Sequence, residues 1–222
     1  MKNIIFIAPP AAGKGTQSKL ISEYYNIPHI SLGDILREFR DPNTEEGKVI
    51  IKCQDERSLV PLDIILRVIK KRISESDCKD GYILDGFPRS IDQAIEYDKM
   101  LEELNSDINL VIFMDINKDL ALKRTLSRIV CPNCKTSYNL LVKDLAPKKD
   151  GICNKCGNVL ETRTDDNEQT FIKGFNTYIE KTLPLIEYYD KKGKLKKIEI
   201  KEEDSAEEIF EKIKMFIQQQ GE

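Results

Sequence analysis

Residues 2–17 read KNIIFIAPPAAGKGTQ, and this opening stretch decides the fold class. Its first six residues, 2–7, are rich in isoleucine and phenylalanine and are followed by two prolines, which predicts a short buried strand. After the turn at 13–16, apolar residues recur at helical spacing and predict a helix that continues to about Tyr25. Strand, loop and helix in this order are the first half of a βαβ unit.

The same alternation continues along the chain. Further strands are predicted at 81–85, 109–115 and 196–200. Helices are predicted over much of 32–75, over 90–104, 118–128 and 205–219, and from about 166 with a bend or end at Pro184. Strands alternating with helices favour an α/β fold in which helices cover both faces of a parallel sheet.

Two segments interrupt this alternation: a mostly helical one and one that carries cysteines, proline, glycine and asparagine without a helical period. We therefore expect a core formed by 1–30, 61–126 and 167–222. The helical insertion is expected at 31–60, and the cysteine-bearing insertion at 127–166.

The composition is that of a globular protein without a strong charge bias. The 222 residues include 35 basic and 38 acidic side chains, for a net charge of -3, which does not favour a nucleic-acid partner. The first apolar run is only about six residues long, and no segment has the roughly 20 apolar residues that cross a membrane. We expect a cytoplasmic protein with no nucleic-acid or membrane partner.

Residues 8–17, APPAAGKGTQ, resemble the phosphate-loop pattern G-x-x-x-x-G-K-[ST] between a strand and a helix. In such a loop, backbone N–H groups and the positive end of the helix hold phosphate oxygens, and Lys14 supplies a charge to the β and γ phosphates. The sequence departs from the pattern at Ala8, in place of the first glycine, and at Gly15, in place of the hydroxyl residue. The context predicts a P-loop NTPase-type core.

Four of the six cysteines form two C-x-x-C pairs separated by 18 residues: Cys131, Cys134, Cys153 and Cys156. This spacing is typical of a tetrahedral zinc site. Four thiolate ligands leave no open position for a substrate, so the predicted Zn²⁺ is structural. Reduced free thiols or a redox pair are the alternatives. Cys53 and Cys78 lack this spacing, and we expect them to be ordinary buried thiols.

Several motifs resemble the adenylate kinase family across nearly the whole chain. These are GKGTQ at 13–17, ISLGDILR at 30–37, LDGFPRSIDQA at 84–94, and TRTDD at 162–166, together with Arg124 and Arg128. DGFPR is the most specific of them. The resemblance implies reversible phosphoryl transfer from MgATP to AMP, giving two ADP. It also implies that 31–60 is the helical subdomain for the acceptor nucleotide and that 127–166 is a zinc-bearing lid.

The resemblance further implies roles for individual residues. Those implied to bind ATP are Ala11, Ala12, Gly13, Lys14, Gly15, Thr16, Arg124, Arg128, Ser137 and Tyr138. Those implied to bind AMP are Leu32, Arg37, Ser58, Leu59, Val60, Gly86, Phe87, Pro88, Arg89, Gln93 and Arg163. The implied catalytic cations are Lys14, Arg37, Arg89, Arg128 and Arg163, and Asp85 is implied to orient the magnesium shell.

Within this scheme Arg37 and Arg89 hold the AMP phosphate, and Gln93 bonds the adenine edge. Arg124 lies near the donor base, Arg128 reaches the donor phosphates, and Arg163 reaches the transferring group as the lid closes. The scheme implies the nucleotides ATP, AMP and ADP as partners, and we expect a monomer. His29, the single histidine, is assigned no catalytic role.

The sequence departs from the family at two positions that bear on activity. Leu32 replaces a small hydroxyl residue, which removes a polar contact to the acceptor base. Gly174 replaces a phosphate-binding arginine, so we expect retained but slower activity, with Lys173 or Lys181 as substitutes. Three alternatives stay open: another donor or acceptor such as GTP with AMP, a non-catalytic nucleotide sensor, and a zinc module that binds nucleic acid.

Overall fold

The computed structural model describes residues 2–55, 60–163 and 166–219. Eight strands occur in these ranges: β1 Lys2–Ile7, β2 His29–Ser31, β3 Gly81–Asp85, β4 Leu110–Ile116, β5 Arg128–Val130, β6 Ser137–Asn139, β7 Glu161–Thr162 and β8 Leu195–Ile200. Nine α-helices also occur in them: α1 Lys14–Tyr25, α2 Leu32–Glu38, α3 Glu45–Asp55, α4 Leu62–Ile73, α5 Ile91–Glu103, α6 Lys118–Leu126, α7 Glu168–Thr177, α8 Pro184–Lys191 and α9 Ala206–Gln219.

Five of the strands form one parallel sheet in the order β2-β3-β1-β4-β8. Alternate residues of β1 point to opposite faces, as the pleat of a strand requires. Ile5 and Ile7 pack with apolar residues of α2 to α5 and α8. Ile4 and Phe6 pack with residues of α1, α6, α7 and α9 on the other face. The predicted α/β fold, a P-loop type parallel sheet flanked by helices, is confirmed.

The cysteine-bearing insertion forms a second, three-stranded antiparallel sheet in the order β6-β5-β7. Its buried residues form a small cluster of their own, made by Cys131, Tyr138, Cys153 and Leu160. This cluster is separate from the two that cover the main sheet. The exact division of the chain into core, acceptor-binding subdomain and lid stays a prediction.

Two of the helix predictions differ from the structure in detail. The helix predicted over 118–128 ends at Leu126, and Arg128 begins β5 instead. The long helix from about 166 is interrupted before Pro184 by a π-helical turn, Tyr178–Thr182. Two elements were missed: β2, which has only three residues, and the small sheet of the insertion. None of the helices in the described ranges is long and apolar enough to cross a membrane.

Candidate active site and metal centre

The phosphate loop joins β1 to α1 and lies where the parallel strands end. Gly13 precedes α1 with φ 91°, a left-handed conformation that glycine adopts without steric cost. Ala11 also has a positive φ, 60°, which costs an alanine about 1–2 kcal/mol. Ala8 has no positive φ, so only one of the two alanines bears this cost. The helix begins at Lys14, so its first residues lie inside the turn that was predicted at 13–16.

Three charged or polar side chains from three elements meet beside this loop. Nζ of Lys14 lies 2.6 Å from Oδ1 of Asp85, the last residue of β3. Nε2 of His29, the first residue of β2, lies 3.2 Å from the other oxygen, Oδ2. No motif connects His29 with the site, and His29 and Asp85 are 56 positions apart in the chain.

The environment of Asp85 keeps its carboxyl group ionised. Burial raises its pKa, but the hydrogen bond with His29 and the nearby charge of Lys14 outweigh burial and lower the pKa to about 2. An ionised carboxylate is the form that can orient the water shell of a divalent cation.

The segment after β3 carries five of the eleven residues predicted to bind the acceptor. Gly86 has φ 85°, and its carbonyl accepts a hydrogen bond from Nε of Arg89 at 2.8 Å. The amide of Arg89 donates to Oε1 of Gln93 at 2.7 Å. These contacts preset the turn, in which the Phe87–Pro88 peptide is cis. Leu32 lies beside the turn, with its Cβ 3.9 Å from the position that a Cβ on Gly86 would occupy.

Other predicted acceptor residues differ in how they are placed. The side chain of Phe87 is buried and packs edge-to-face against Tyr97, so any ligand contact from this residue comes from its backbone. Arg37 is largely exposed and is paired with Asp34 one turn earlier on α2. Val60 is half-buried. Ser58 and Leu59 lie outside the described residues.

The two arginines at the entrance to the cysteine-bearing insertion have different partners. Arg124 is 5% exposed, and its guanidinium donates to the carbonyl of Lys201 at 3.1 Å. Burial lowers its pKa, which the charges of Asp204, Glu202 and Asp144 oppose. Nε of Arg128 donates to Oδ2 of Asp166 at 2.8 Å, and a second contact completes a bidentate pair. This pair joins the two ends of the insertion.

A half-open pocket lies between the phosphate loop, the insertion and α9. Its lining residues are Ala12, Gly13, Thr16, Gln17, Arg124, Val142, Leu145, Asp204, Ala206 and Ile209. Four of these, Ala12, Gly13, Thr16 and Arg124, were predicted to bind the donor nucleotide. Gln17 belongs to the GKGTQ motif but was not among the predicted binding residues. The remaining five were missed because their segments carry no recognisable motif: Val142, Leu145, Asp204, Ala206 and Ile209.

The four paired cysteines come together as their spacing predicts. Their Sγ atoms all lie within 4.8 Å of one another, and Cys131–Cys156 and Cys134–Cys153 are each separated by 3.4 Å. Four thiolates at about 2.3 Å from a tetrahedral zinc ion lie about 3.8 Å apart, so the cluster has the size and the ligand type for such an ion. These four cysteines could hold a metal ion.

Neighbouring groups favour the thiolate form of Cys153, whereas burial raises the pKa of Cys131 to about 11. The hydroxyl of Tyr138 lies 3.4 Å from Sγ of Cys153. That contact, with the backbone amides of Cys156 and Lys155, lowers the pKa of Cys153 to about 6. Tyr138 is therefore engaged at the cysteines, and its predicted contact with the donor nucleotide stays a prediction. Cys53 and Cys78 are buried, as expected.

Three predicted cations, Arg163, Lys173 and Lys181, lie outside the groups described above. Arg163 follows β7 on the exposed side of the insertion. Gly174 lies in α7, and a Cβ on it would meet Cγ of Pro10 at 3.7 Å, so this helix position faces the phosphate loop. Lys173 and Lys181 are both exposed.

Comparisons with known proteins agree with this geometry. Residues 6–194 match the family model described as adenylate kinase. The chain is 43% identical to "Adenylate kinase" of Archaeoglobus fulgidus over 96% of its length and 99% of that protein. It is 43% identical to "Adenylate kinase" of Thermosipho africanus over 87% of its length and 89% of that protein. It is 41% identical to "Adenylate kinase" of Clostridium tetani over 95% of its length and 96% of that protein. The chain belongs to the adenylate kinase family.

Proposed function

We propose that this protein catalyses the reversible transfer of the γ-phosphoryl group of MgATP to AMP, giving two ADP. The observation that carries the proposal is the pairing of Lys14 with Asp85, 2.6 Å apart beside a helix N-terminus. Lys14 is a cation that suits phosphate oxygens, and Asp85 is an ionised carboxylate that suits a hydrated metal ion. The family membership of the chain supports the same reaction.

The reaction needs positioning and positive charge more than acid–base chemistry. An anionic oxygen of the AMP phosphate attacks the γ-phosphorus in line, and the bond to the β,γ-bridging oxygen breaks. That oxygen leaves with the electron pair as part of ADP. The acceptor oxygen is already an anion, so no side chain has to remove a proton. Charge in the transition state is spread over the equatorial oxygens, where fixed cations stabilise it.

Each group of residues has a place in this scheme. Lys14 and the amides of the phosphate loop hold the donor phosphates, and Asp85 holds the water shell of Mg²⁺, which neutralises charge on the β and γ phosphates. Arg37 and Arg89 hold the acceptor phosphate. Arg128 and Arg163, at the two ends of the insertion, reach the transferring group when the lid closes. Closure excludes water and so limits hydrolysis.

We also propose that the four-cysteine cluster binds Zn²⁺ as a structural ion. The insertion has a buried cluster of only four residues, too small to hold its fold by apolar contacts alone. Four sulfur ligands suit zinc and leave no open position for a substrate. Its role is to shape the lid, while the arginines carry the chemistry.

Steady-state kinetics with ATP and AMP test the enzymatic proposal directly. We expect ADP formation, and we expect Arg89→Ala to lower kcat/KM for AMP by about 100-fold or more. Arg67→Ala is a matched control, because Arg67 is an exposed arginine of α4 that is paired with Glu46 and Asp63. Absence of ADP formation from ATP and AMP, on protein with a full complement of zinc, would exclude the reaction.

A second candidate is the same chemistry with a different nucleotide pair, such as GTP with AMP. The observation that favours it is Leu32, an apolar side chain beside the Gly86 turn where the family has a hydroxyl. The same assay, run with each of the four nucleoside triphosphates as donor and each nucleoside monophosphate as acceptor, separates the candidates by their kcat/KM values. Location in the cytoplasm and a monomeric state are proposals of the same kind.

A further inference from the structure

Asp144 of the insertion contacts the beginning of the last helix, α9. The residue lies in a 3-10 turn, Lys143–Leu145. Its Oδ2 atom accepts hydrogen bonds from the backbone N–H groups of Ala206, at 2.7 Å, and Glu207, at 3.3 Å. The carboxylate thus crosses from the lid to the core and binds the first two residues of a helix 62 positions away.

The start of α9 leaves these two N–H groups open for such a partner. Ser205 and Glu208 form a reciprocal capping box, in which Oγ of Ser205 accepts from the amide of Glu208 at 3.1 Å. That box satisfies the third N–H group of the helix but not the first two. A carboxylate is the favoured partner there, because the helix N-terminus carries a partial positive charge. Asp144 therefore completes a cap that α9 cannot complete with its own side chains.

The same contact fixes one wall of the half-open pocket. Val142 and Leu145, on either side of Asp144, line the pocket from the lid, and the amide of Leu145 donates to the carbonyl of Val142 at 2.9 Å. Ala206 and Ile209 line it from α9, and Arg124 closes it from α6. With Asp144 holding the turn against α9, Val142 and Leu145 line the pocket together with Arg124.

We infer that Asp144 is a positioning residue for the donor nucleotide, holding the lid turn against α9 so that Val142 and Leu145 form the apolar wall for the donor base opposite Arg124. The inference rests on the proposed function, specifically on this pocket taking the donor base. Asp144 does not touch the reacting atoms. Its effect is on donor binding, and the acceptor site, formed by other segments, is independent of it.

The test compares Asp144→Ala, Asp144→Asn and Asp150→Ala in the zinc-loaded full-length protein. Asp150 is a matched control, because it is an exposed aspartate of the same insertion. We expect Asp144→Ala to raise KM for ATP about fivefold, the size of a lost helix cap, and to leave KM for AMP unchanged. Asparagine also caps helices, so Asp144→Asn should retain most of the wild-type KM.

Hydrogen exchange gives a readout that is independent of activity. The amides of Ala206 and Glu207 should exchange faster in Asp144→Ala than in wild type. In Asp150→Ala their exchange rates should be the same as in wild type. Zinc content, measured on the same samples, should be equal in all variants. An unchanged KM for ATP in Asp144→Ala, or an equal rise in both KM values, would overturn the inference.

Arg124→Ala separates failure of the inference from failure of the pocket assignment. If it raises KM for ATP while Asp144→Ala does not, the pocket takes the donor base and only the positioning role is wrong. If Arg124→Ala leaves KM for ATP unchanged, the pocket assignment is wrong and the inference falls with it.

Discussion

Gly174 is the position at which the family resemblance predicts a phosphate-binding arginine and this chain has a glycine. It lies within α7 with ordinary helical geometry, and its missing Cβ faces Pro10 at a normal contact distance of 3.7 Å. Nothing in the backbone therefore requires glycine, which destabilises a helix interior by about 0.5–1 kcal/mol relative to alanine. Because glycine has no side chain, this position of α7 brings no cation of its own toward the phosphate loop.

Substitution of Gly174 should separate stability from catalysis. We expect Gly174→Ala to raise the free energy of unfolding by about 0.5–1 kcal/mol, measured by urea denaturation, with kcat unchanged. We expect Gly174→Arg to raise kcat on the order of tenfold, by adding a charge-assisted contact to phosphate. The Gly174→Ala variant is the control for the gain in helix stability that any side chain at this position brings. An arginine variant no faster than the alanine variant would mean that another cation, such as Lys181, already fills the role.

Asp85 should make stability depend on pH in the acid range. Its pKa is about 2 in the folded protein and about 3.9 when unfolded, so its ionisation stabilises the fold above pH 4. That stabilisation is lost as the pH falls through 2. We expect the difference in unfolding free energy between wild type and Asp85→Asn to shrink by about 2 kcal/mol from pH 6 to pH 2.

Urea denaturation without Mg²⁺ at several pH values measures this difference. Effects common to both proteins, including loss of zinc in acid, cancel in the comparison. Asp150→Asn controls for the removal of an aspartate, since Asp150 is an exposed aspartate outside the site. A difference for Asp85→Asn that does not change with pH would show that the carboxyl group of Asp85 has an ordinary pKa.

At the scale of elements, the proposed zinc ion should matter far more to the stability of the insertion than to that of the main sheet. The insertion has its own buried cluster, which is separate from the two large apolar clusters that cover β1 and β4. Its members are Cys131, Tyr138, Cys153 and Leu160. Chelation of zinc should therefore increase amide exchange in 128–163 by at least about tenfold and lower kcat, while exchange in the main sheet stays unchanged.

Cys153→Ser should reproduce the effect of chelation, and Cys53→Ala is the control. Cys53 is a buried cysteine of α3, outside the metal cluster, so its variant should keep full zinc content. If chelation leaves lid exchange and activity as they were, the cluster has no structural metal.

The elements that could be predicted from sequence were those with a strong local pattern. β1 and β3 were predicted with the bounds they have, because each is a short apolar run between turn residues. β2 was missed, since its three residues form a strand only through pairing with β3. The strands of the lid are equally short, and tertiary contacts and the cysteine cluster, which local propensity does not report, hold them in place.

At the scale of the whole molecule, the sheet order explains which site contacts sequence could not supply. β3 lies between β1 and β2, so the last residue of β3, Asp85, meets residues of α1 and β2 that are far away in the chain. Motifs identified Lys14 and Asp85 separately, as well as most of the acceptor turn. They did not identify His29 beside Asp85, Asp166 as the partner of Arg128, or the α9 side of the pocket.

Nucleotides should protect different parts of the molecule. We expect a non-hydrolysable ATP analogue with Mg²⁺ to slow amide exchange in 128–163 and at the start of α9, and AMP alone to slow it in 32–53. The main sheet should be unaffected by either, because it is already stable. The matched control is the same experiment with Lys14→Ala and Arg89→Ala, which should each lose protection by one nucleotide. Protection of the same segment by both ligands would contradict two separate sites.

The separateness of the lid cluster has a consequence for how the protein matures in a cell. Under the zinc site proposed above, the main sheet and its helices can fold as soon as the chain is made, whereas the cysteine-bearing insertion folds only after it has bound the ion. A cell short of zinc would therefore accumulate a folded but unfinished protein, able to hold phosphate yet unable to enclose its substrates. The supply of working enzyme would then follow metal availability as well as synthesis, without any change in the number of chains.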